Sequence, residues 1–278
     1  LHWRLSLRTP PPPKILKNRV FSLFNGSGGP GVILDRRGVR KYPWGPIFSF
    51  TAQKINETAK VSGREVMIGH LIRYHPVFQA LLRQVENGAI GKMRHIQANR
   101  LAMGRIRNTE SALFDLCPHD LSLILALTGC LPKTVSCHGA AHITPGLGDM
   151  PATGRGFANG IPAGMNQRWL RPLEEHRLTV TGQSGSLVFD DTKPWSEKLT
   201  LFSDHITQAG SLFVVERASP NYLPVAENEP LKQEVRAFAE LCKTDAPALT
   251  NGDEGVAVQT VLEDMLNAFE MTNISPSE

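Results

Sequence analysis

From Thr51 onward, the spacing of apolar and polar positions can be read element by element. Residues 52–60 read as a helix, Gly63 interrupts, and the apolar run Val66, Met67 and Ile68 places a buried strand over 66–70. Pro76 opens a helix whose apolar positions Val77, Leu81, Leu82 and Val85 recur near the helical period, and Asn87-Gly88 closes it. Alternation predicts a strand over 93–101. A helix over 115–128 ends at Gly129, where a left-handed residue is expected. A strand over 134–142 leads into a glycine-rich loop over 145–159, and strands over 176–182 and 186–190 flank the turn Gln183-Ser184-Gly185. Short strands over 198–202 and 212–216 and two helices, 231–242 and 254–270, complete the chain. Strands in succession with helices grouped at either end predict an α+β fold, a mostly antiparallel open sheet with helices on one face.

Residues 1–50 lack this order. Seven Pro and six Gly, including the run Pro10 to Pro13, exclude a long helix and leave short extended pieces such as 19–24. The segment also holds nine Lys/Arg against one acid, whereas the remainder holds 21 against 25. The pI near 8.9 therefore comes from these fifty residues. Their basic groups lie on no periodic face, so a nucleic-acid partner is not expected. Residues 1–50 read as an irregular segment, and a shifted or truncated reading frame upstream of Thr51 accounts for their composition.

The 278 residues, 41% hydrophobic and 20% charged, supply a sizeable core and exclude collagen, coiled coil and wholesale disorder. No apolar stretch approaches the roughly 18–20 residues of a membrane span, and the start of the chain lacks a signal-peptide core. Cys117, Cys130, Cys137 and Cys242 show no CxxC spacing. They read as reduced thiols in a cytoplasmic protein, with no metal and no membrane partner.

The stretch Asp115-Leu116-Cys117-Pro118-His119-Asp120 carries the candidate chemistry. Proline is tolerated in the first turn of a helix. That puts Asp115 near the N-cap and His119 one turn on, on the same side. A carboxylate beside an imidazole can orient the ring and raise its basicity, which suits proton exchange with a hydroxyl. Spacing alone is better served by a cap at Asp115 and a buried polar contact at His119.

Several stretches together resemble the Gfo/Idh/MocA family of NAD(P)-dependent oxidoreductases, nearest its nucleotide-sugar 3-dehydrogenase branch. They include Gly69-His70-Leu71-Ile72-Arg73-Tyr74-His75-Pro76, Gly88-Ala89-Ile90-Gly91-Lys92 and Asn99-Arg100 through Gly104-Arg105-Ile106-Arg107. Asp115 to Asp120, Trp169 to Pro172, Val188 to Asp191, Pro230 to Glu234 and Gly252-Asp253-Glu254-Gly255 continue the likeness in order, over about four-fifths of the chain. The resemblance implies that His119 and Asp115 are catalytic, the His exchanging a proton with a sugar hydroxyl while hydride passes to NAD or NADP. It implies substrate-binding roles for Arg73, Arg100 and Arg105, whose guanidinium groups suit phosphate or uronate. His70 and His75 are expected to pack rather than catalyse. A homo-oligomer formed through an apolar outer sheet face is also implied.

The resemblance further implies three regions: the irregular residues 1–50, the end of a Rossmann-type nucleotide-binding domain over 51–88, and a substrate-binding and oligomerisation domain over 89–278. Gly26-Ser27-Gly28-Gly29-Pro30-Gly31 fits G-x-G-x-x-G in letters, but Pro30 and the following Gly/Pro-rich stretch open no helix that could hold a pyrophosphate. The expected function is an oxidoreductase of nucleotide-sugar metabolism, impaired in this chain. The alternative is a non-catalytic substrate-binding and oligomerisation remnant. The strand over 66–70, without the sheet neighbours the family gives it, is expected to expose an unpaired edge.

Overall fold

The computed structural model describes residues 49–103, 106, 111–143, 148, 151–157, 159–244 and 247–271, together with three short strands between residues 21 and 41. These strands, β1 (Phe21–Leu23), β2 (Val32–Asp35) and β3 (Gly38–Lys41), form an antiparallel three-stranded sheet. Strand β1 lies within the extended piece expected over 19–24, whereas the pairing of three strands was not expected, each being only three or four residues long. The motif Gly26 to Gly31 lies outside the described residues.

Helix α1 (Ser49–Val61) buries none of its residues. It is held to the distant helix α5 (Gly252–Asn267) by Asn56 and Lys60, which donate to Asp253 Oδ1 at 2.7 and 2.6 Å. The strand expected over 66–70 is instead a single extended pass outside any sheet, with Met67 bridging Asn251. Ile68 N–H donates to Thr250 O at 2.7 Å, and Thr250 Oγ1 donates back to Ile68 O at 2.6 Å. Val66, Met67 and Ile68 are buried. The exposed edge does not arise because the approach to α5 pairs with it.

A 3₁₀ turn (Leu71–Tyr74) leads into α2 (Pro76–Glu86), where His75 is the N-cap and its Nδ1 accepts from Val77 N–H at 3.1 Å. Helix α3 (Ala112–Thr128) starts one turn earlier than expected, at the N-cap Ser111, and ends on Gly129 at φ 66°. Pro118 therefore lies inside the helix, not in its first turn.

The main sheet contains β4 (Met93–Met103), β5 (Pro132–Gly139), β6 (Ala152–Phe157), β7 (Pro162–Arg168), β8 (Leu170–Gly182), β9 (Ser186–Asp190), β10 (Leu199–Phe202), β13 (Asn221–Tyr222) and β14 (Phe269–Met271). Their order is β13-β10-β9-β8-β4-β7-β6-β5-β14, parallel at β4–β7 and β5–β14 and antiparallel elsewhere. Strands β11 (His205–Ala209) and β12 (Leu212–Glu216) form a separate hairpin, and α4 (Pro230–Leu241) precedes α5. One core joins α2, α3 and α5 to a single sheet face through Phe78, Leu81, Leu121, Ile124 and Leu262 against Ile96, Met165, Val180 and Leu187.

The expected loop over 145–159 holds β6, and β7 was not anticipated. Glycine hides both. A Cβ on Gly164 would meet Gln97 Oε1 at 2.5 Å, and one on Gly156 would meet Thr134 Oγ1 at 2.9 Å. These glycines make room on the outer face for polar neighbours, so no apolar alternation is left to read. On that face Asn99 Oδ1 accepts from Gln97 at 2.9 Å and Asn166 at 3.1 Å, while Asn99 Nδ2 donates to Glu175 at 2.7 Å. This part of the outer face is polar, where an apolar face was expected, while Met103 on β4 and Leu173 on β8 are exposed.

Gly182 tests this packing, since a Cβ there would lie 2.1 Å from Ile90 O. Backbone cannot yield as a side chain does, so Gly182→Ala is expected to cost about 1–3 kcal/mol. Urea unfolding checks it, and an unchanged midpoint would show that β8 is not in contact with the Ile90 turn.

Candidate functional site

Helix α3 lies on the sheet through one ion pair. Asp120 Oδ1 accepts from Arg100 Nη2 on β4 at 2.9 Å and from its Nε at 3.3 Å, and Oδ2 accepts from Gln167 on β7 at 3.1 Å. Arg100 and Gln167 sit on neighbouring parallel strands as direct register partners. Both carboxylate oxygens are thus occupied by the sheet. Upstream on the same helix, Asp115 is buried and accepts from Trp169 Nε1 at 3.3 Å.

His119 is half-buried, and its Nδ1 is enclosed with no hydrogen-bond partner among the described residues. Burial, then the positive charges of Arg100 and His70, push its pKa down to about 3 against the opposing pull of Asp120. The ring is a neutral imidazole at physiological pH. The carboxylate whose charge acts on it is Asp120, its neighbour in sequence, where spacing pointed to Asp115.

Behind His119 lies a buried polar cluster. The His70 ring meets the His119 ring edge-on, with centroids 6.4 Å apart. His70 Nδ1 lies 2.9 and 2.8 Å from the two Glu254 carboxylate oxygens, and Ser122 Oγ donates to the same carboxylate. Burial works against ionising Glu254, but the His70 charge, the bonds from His70 and Ser122, and the Arg73 charge hold its pKa below the usual value. Glu234 on α4 is also buried, with Oε1 unpartnered among the described residues. Burial pushes its pKa up to about 7, the His70 charge opposing.

The expected site residues thus separate. Arg100 lines a cleft together with Asp120, His176, Arg177 and Asp191. Arg73 does not reach it: its side chain is turned inward, Nη1 donates to Ser122 O at 3.0 Å, and the guanidinium lies 5.9 Å from the Phe78 ring centroid. It ties the 3₁₀ turn to α3, which corrects the substrate-binding expectation. Arg105 lies outside the described residues. His75 caps α2 and stacks on Trp195 at 5.5 Å. Among the described residues, no group of His, Cys, Asp and Glu is arranged to hold a metal, and no helix is long and apolar enough to cross a membrane.

Sequence reasoning assigned no role to Asp120, Gln167, Ser122 or Glu254. For Glu254 a signal existed: Asn251, three residues earlier, accepts from its N–H at 3.0 Å as the helix N-cap. An Asn-x-x-Glu pattern places Glu254 in a first turn, but not opposite His70, 184 residues away.

The GFO/IDH/MocA C-terminal domain is matched over residues 78–188. A UDP-N-acetylglucosamine 3-dehydrogenase from Acidithiobacillus ferrooxidans is 38% identical over 191 residues, 68% of this chain and 57% of that protein. The chain therefore spans little more than half the length of this curated relative. Among solved structures, a Magnetospirillum magnetotacticum protein named an oxidoreductase superposes with a TM-score of 0.66 at 26% identity, covering 79% of this chain and 69% of that one. The structure of UDP-N-acetylglucosamine 3-dehydrogenase from A. ferrooxidans gives 0.66 at 23% identity, covering 80% and 68%, a likeness of fold.

Glu234 provides a test of the buried charges. Its folded pKa near 7 stands above the ordinary 4.5, so the folded state holds the extra proton between these values. The stability it contributes is present below pH 4.5 and lost as pH rises through 7. Glu234→Gln is expected to gain on the order of 2 kcal/mol at pH 8 relative to pH 5, compared with wild type. His119 contributes in the opposite sense: its cost is absent above 6.5 and grows as pH falls toward about 3. Denaturant unfolding at both pH values measures the Glu234 effect, and equal changes at the two would place Glu234 in contact with water.

Proposed function

Because the chain belongs to the GFO/IDH/MocA family of oxidoreductases, we propose that it serves the oxidation or reduction of a nucleotide sugar, with His119 exchanging the proton of a sugar hydroxyl. The observation that carries the reading is the 38% identity to a UDP-N-acetylglucosamine 3-dehydrogenase. Residues 51–88 are assigned to the end of a nucleotide-binding domain and 89–278 to the substrate domain.

His119 Nδ1 is enclosed, which leaves Nε2 as the nitrogen that meets the hydroxyl. A neutral ring has a lone pair to accept the proton, but one held at a pKa of about 3 is a weak base. An anionic phosphate or uronate beside Arg100 cancels part of the positive field on the ring and raises its basicity. Substrate arrival and proton acceptance are then linked through one arginine. Asp115 acts at one remove, fixing the Trp169 indole against α3. Arg105 remains the second arginine assigned to the substrate.

NAD or NADP is the family's hydride carrier. The described residues do not fit a dinucleotide. Ahead of α1 they contain the antiparallel β1–β3 sheet, and among them no parallel strand turns through glycines into a helix. Among the described residues, those assigned here account for the sugar and the proton, not for the hydride. The same observation favours a second reading, a substrate-binding and oligomerisation domain without turnover.

Calorimetric titration with UDP-N-acetylglucosamine is expected to show binding that Arg100→Ala weakens about tenfold or more, a loss of at least about 1.4 kcal/mol. Absence of binding by the wild-type chain overturns the nucleotide-sugar assignment. Titration with NADH and NADPH is expected to show nothing as tight as about 1 μM. Should any form of the chain turn over, His119→Ala is expected to lower kcat by roughly 10²–10⁴. Unchanged turnover removes His119 from proton transfer, and no turnover with intact sugar binding favours the second reading.

A further inference from the structure

Strands β11 and β12 stand apart from the main sheet as a hairpin that the sequence specifies closely. Gly210, at φ 63°, supplies the left-handed residue that the tight turn Gly210-Ser211 needs. Near the base, Glu216 accepts from Thr207 Oγ1 at 3.0 Å and lies 3.2 Å from His205 Nε2, and Asp204 Oδ1 accepts from Ala218 N–H at 2.8 Å. The register sets Ile206 opposite Val215 and Gln208 opposite Phe213 on one face, and places His205, Thr207 and Glu216 on the other. Such alternation normally turns the apolar face toward a core. Here that face meets water: Ile206 is 67% exposed, Phe213 74% and Val215 56%. Every residue of β12 is exposed, and β11 is the one strand beside it among the described residues. An isolated two-stranded hairpin is marginally stable in water, and further strands or a covered face make it persist.

We propose that a second copy of this chain covers the hairpin, β12 pairing antiparallel with its own image about Val214 to make one four-stranded sheet. The strand is close to symmetric about that residue. A two-fold axis through Val214 sets Phe213 opposite the partner's Val215 and Val215 opposite the partner's Phe213, so an aromatic meets a β-branched side chain twice on the apolar face. That face carries no charge, so its image does not repel it. The area also suffices. Ile206, Leu212, Phe213, Val214 and Val215 expose on the order of 600 Å² per copy, the upper end of patches on monomers. Two copies bring together about 1,200 Å², where specific interfaces begin. The sheet closes at four strands because the outer strand, β11, presents His205, Thr207 and Gln208, and Gln208 Nε2 is turned back to Gly210 O at 3.0 Å. This contact uses none of the polar ladder of Gln97, Asn99 and Asn166, and it does not rest on the nucleotide-sugar reading.

Sedimentation velocity on the full chain, from about 1 to about 100 μM, tests the pairing. The wild type is expected to gain mass with concentration. Phe213→Lys/Val215→Lys sets like charges opposite one another across the axis and is expected to weaken the association about 100-fold or more. Both positions are exposed, so the circular dichroism of the wild type is expected to be kept. A wild type of monomer mass throughout, or an association that the double variant leaves unchanged, overturns the proposal. The register has its own test, which also serves should the double variant lose its fold. Opposed residues of an antiparallel pair hold their Cα atoms about 4.5–5.5 Å apart, within disulfide reach. Val214→Cys is therefore expected to give a cross-linked dimer under copper–phenanthroline oxidation, above the level of the wild type. Gln208→Cys, equally in water but on the outer strand, is expected to stay at the wild-type level. Cross-linking at both positions alike, or at neither, overturns the pairing about Val214.

Discussion

The pairing of Asp120 with Arg100 is the constraint on which the rest of the site depends. Both side chains are largely withdrawn from water, at 5% and 15% exposure, so each needs the other. Removing one partner of such a pair leaves an uncompensated charge, typically at a cost of about 3–5 kcal/mol. The pair also has direction. It ties α3 to β4, and Gln167 extends the tie to β7, so the helix is fixed in rotation as well as in place. With that rotation set, Asp115 meets Trp169, His119 meets His70, and Ser122 meets Glu254.

The interior behind α3 is unusually polar for the centre of a domain. His70, Arg73, Glu234 and Glu254 gather where 65–70, the 3₁₀ turn, α4 and α5 converge. Low dielectric strengthens every interaction there, favourable or not. His119, poorly compensated, is neutral at physiological pH, Glu234 is pushed up to about 7 by burial, and the better compensated Glu254 stays ionised. A neutral group poised beside charged ones is what proton exchange requires, and His119 becomes one through burial first and then the nearby positive charges.

The sheet divides the molecule differently. Its inner face packs the helices, while its outer face is a ladder of Gln97, Asn99, Asn166 and Glu175 spaced by glycines. Exposed apolar side chains also occur on the sheet strands, Met103 on β4 and Leu173 on β8, and on the β11–β12 hairpin at Ile206, Leu212, Phe213 and Val215.

Much of this protein was legible in its sequence. The 3.6-residue period gave α2 and most of α3, Gly129 marked the end of α3, and alternation gave β4, β8 and β9. These elements can be read because one face of each is apolar and the local period records it. Strand β6 escaped because glycines replaced the outer half of its alternation, and the pass at 65–70 was taken for a strand because an apolar run does not say what covers it. The site divides in the same way. His119 was singled out by its spacing to Asp115, and it and Arg100 were assigned to the site only through the family resemblance. The turning of Arg73 inward, the choice of Asp120 over Asp115 beside the imidazole, and the pairing of His70 with Glu254 could not be read from the chain. Those depend on which way α3 faces and on contacts between residues far apart in the chain, and desolvation, which sets their charges, exists only once the chain has folded.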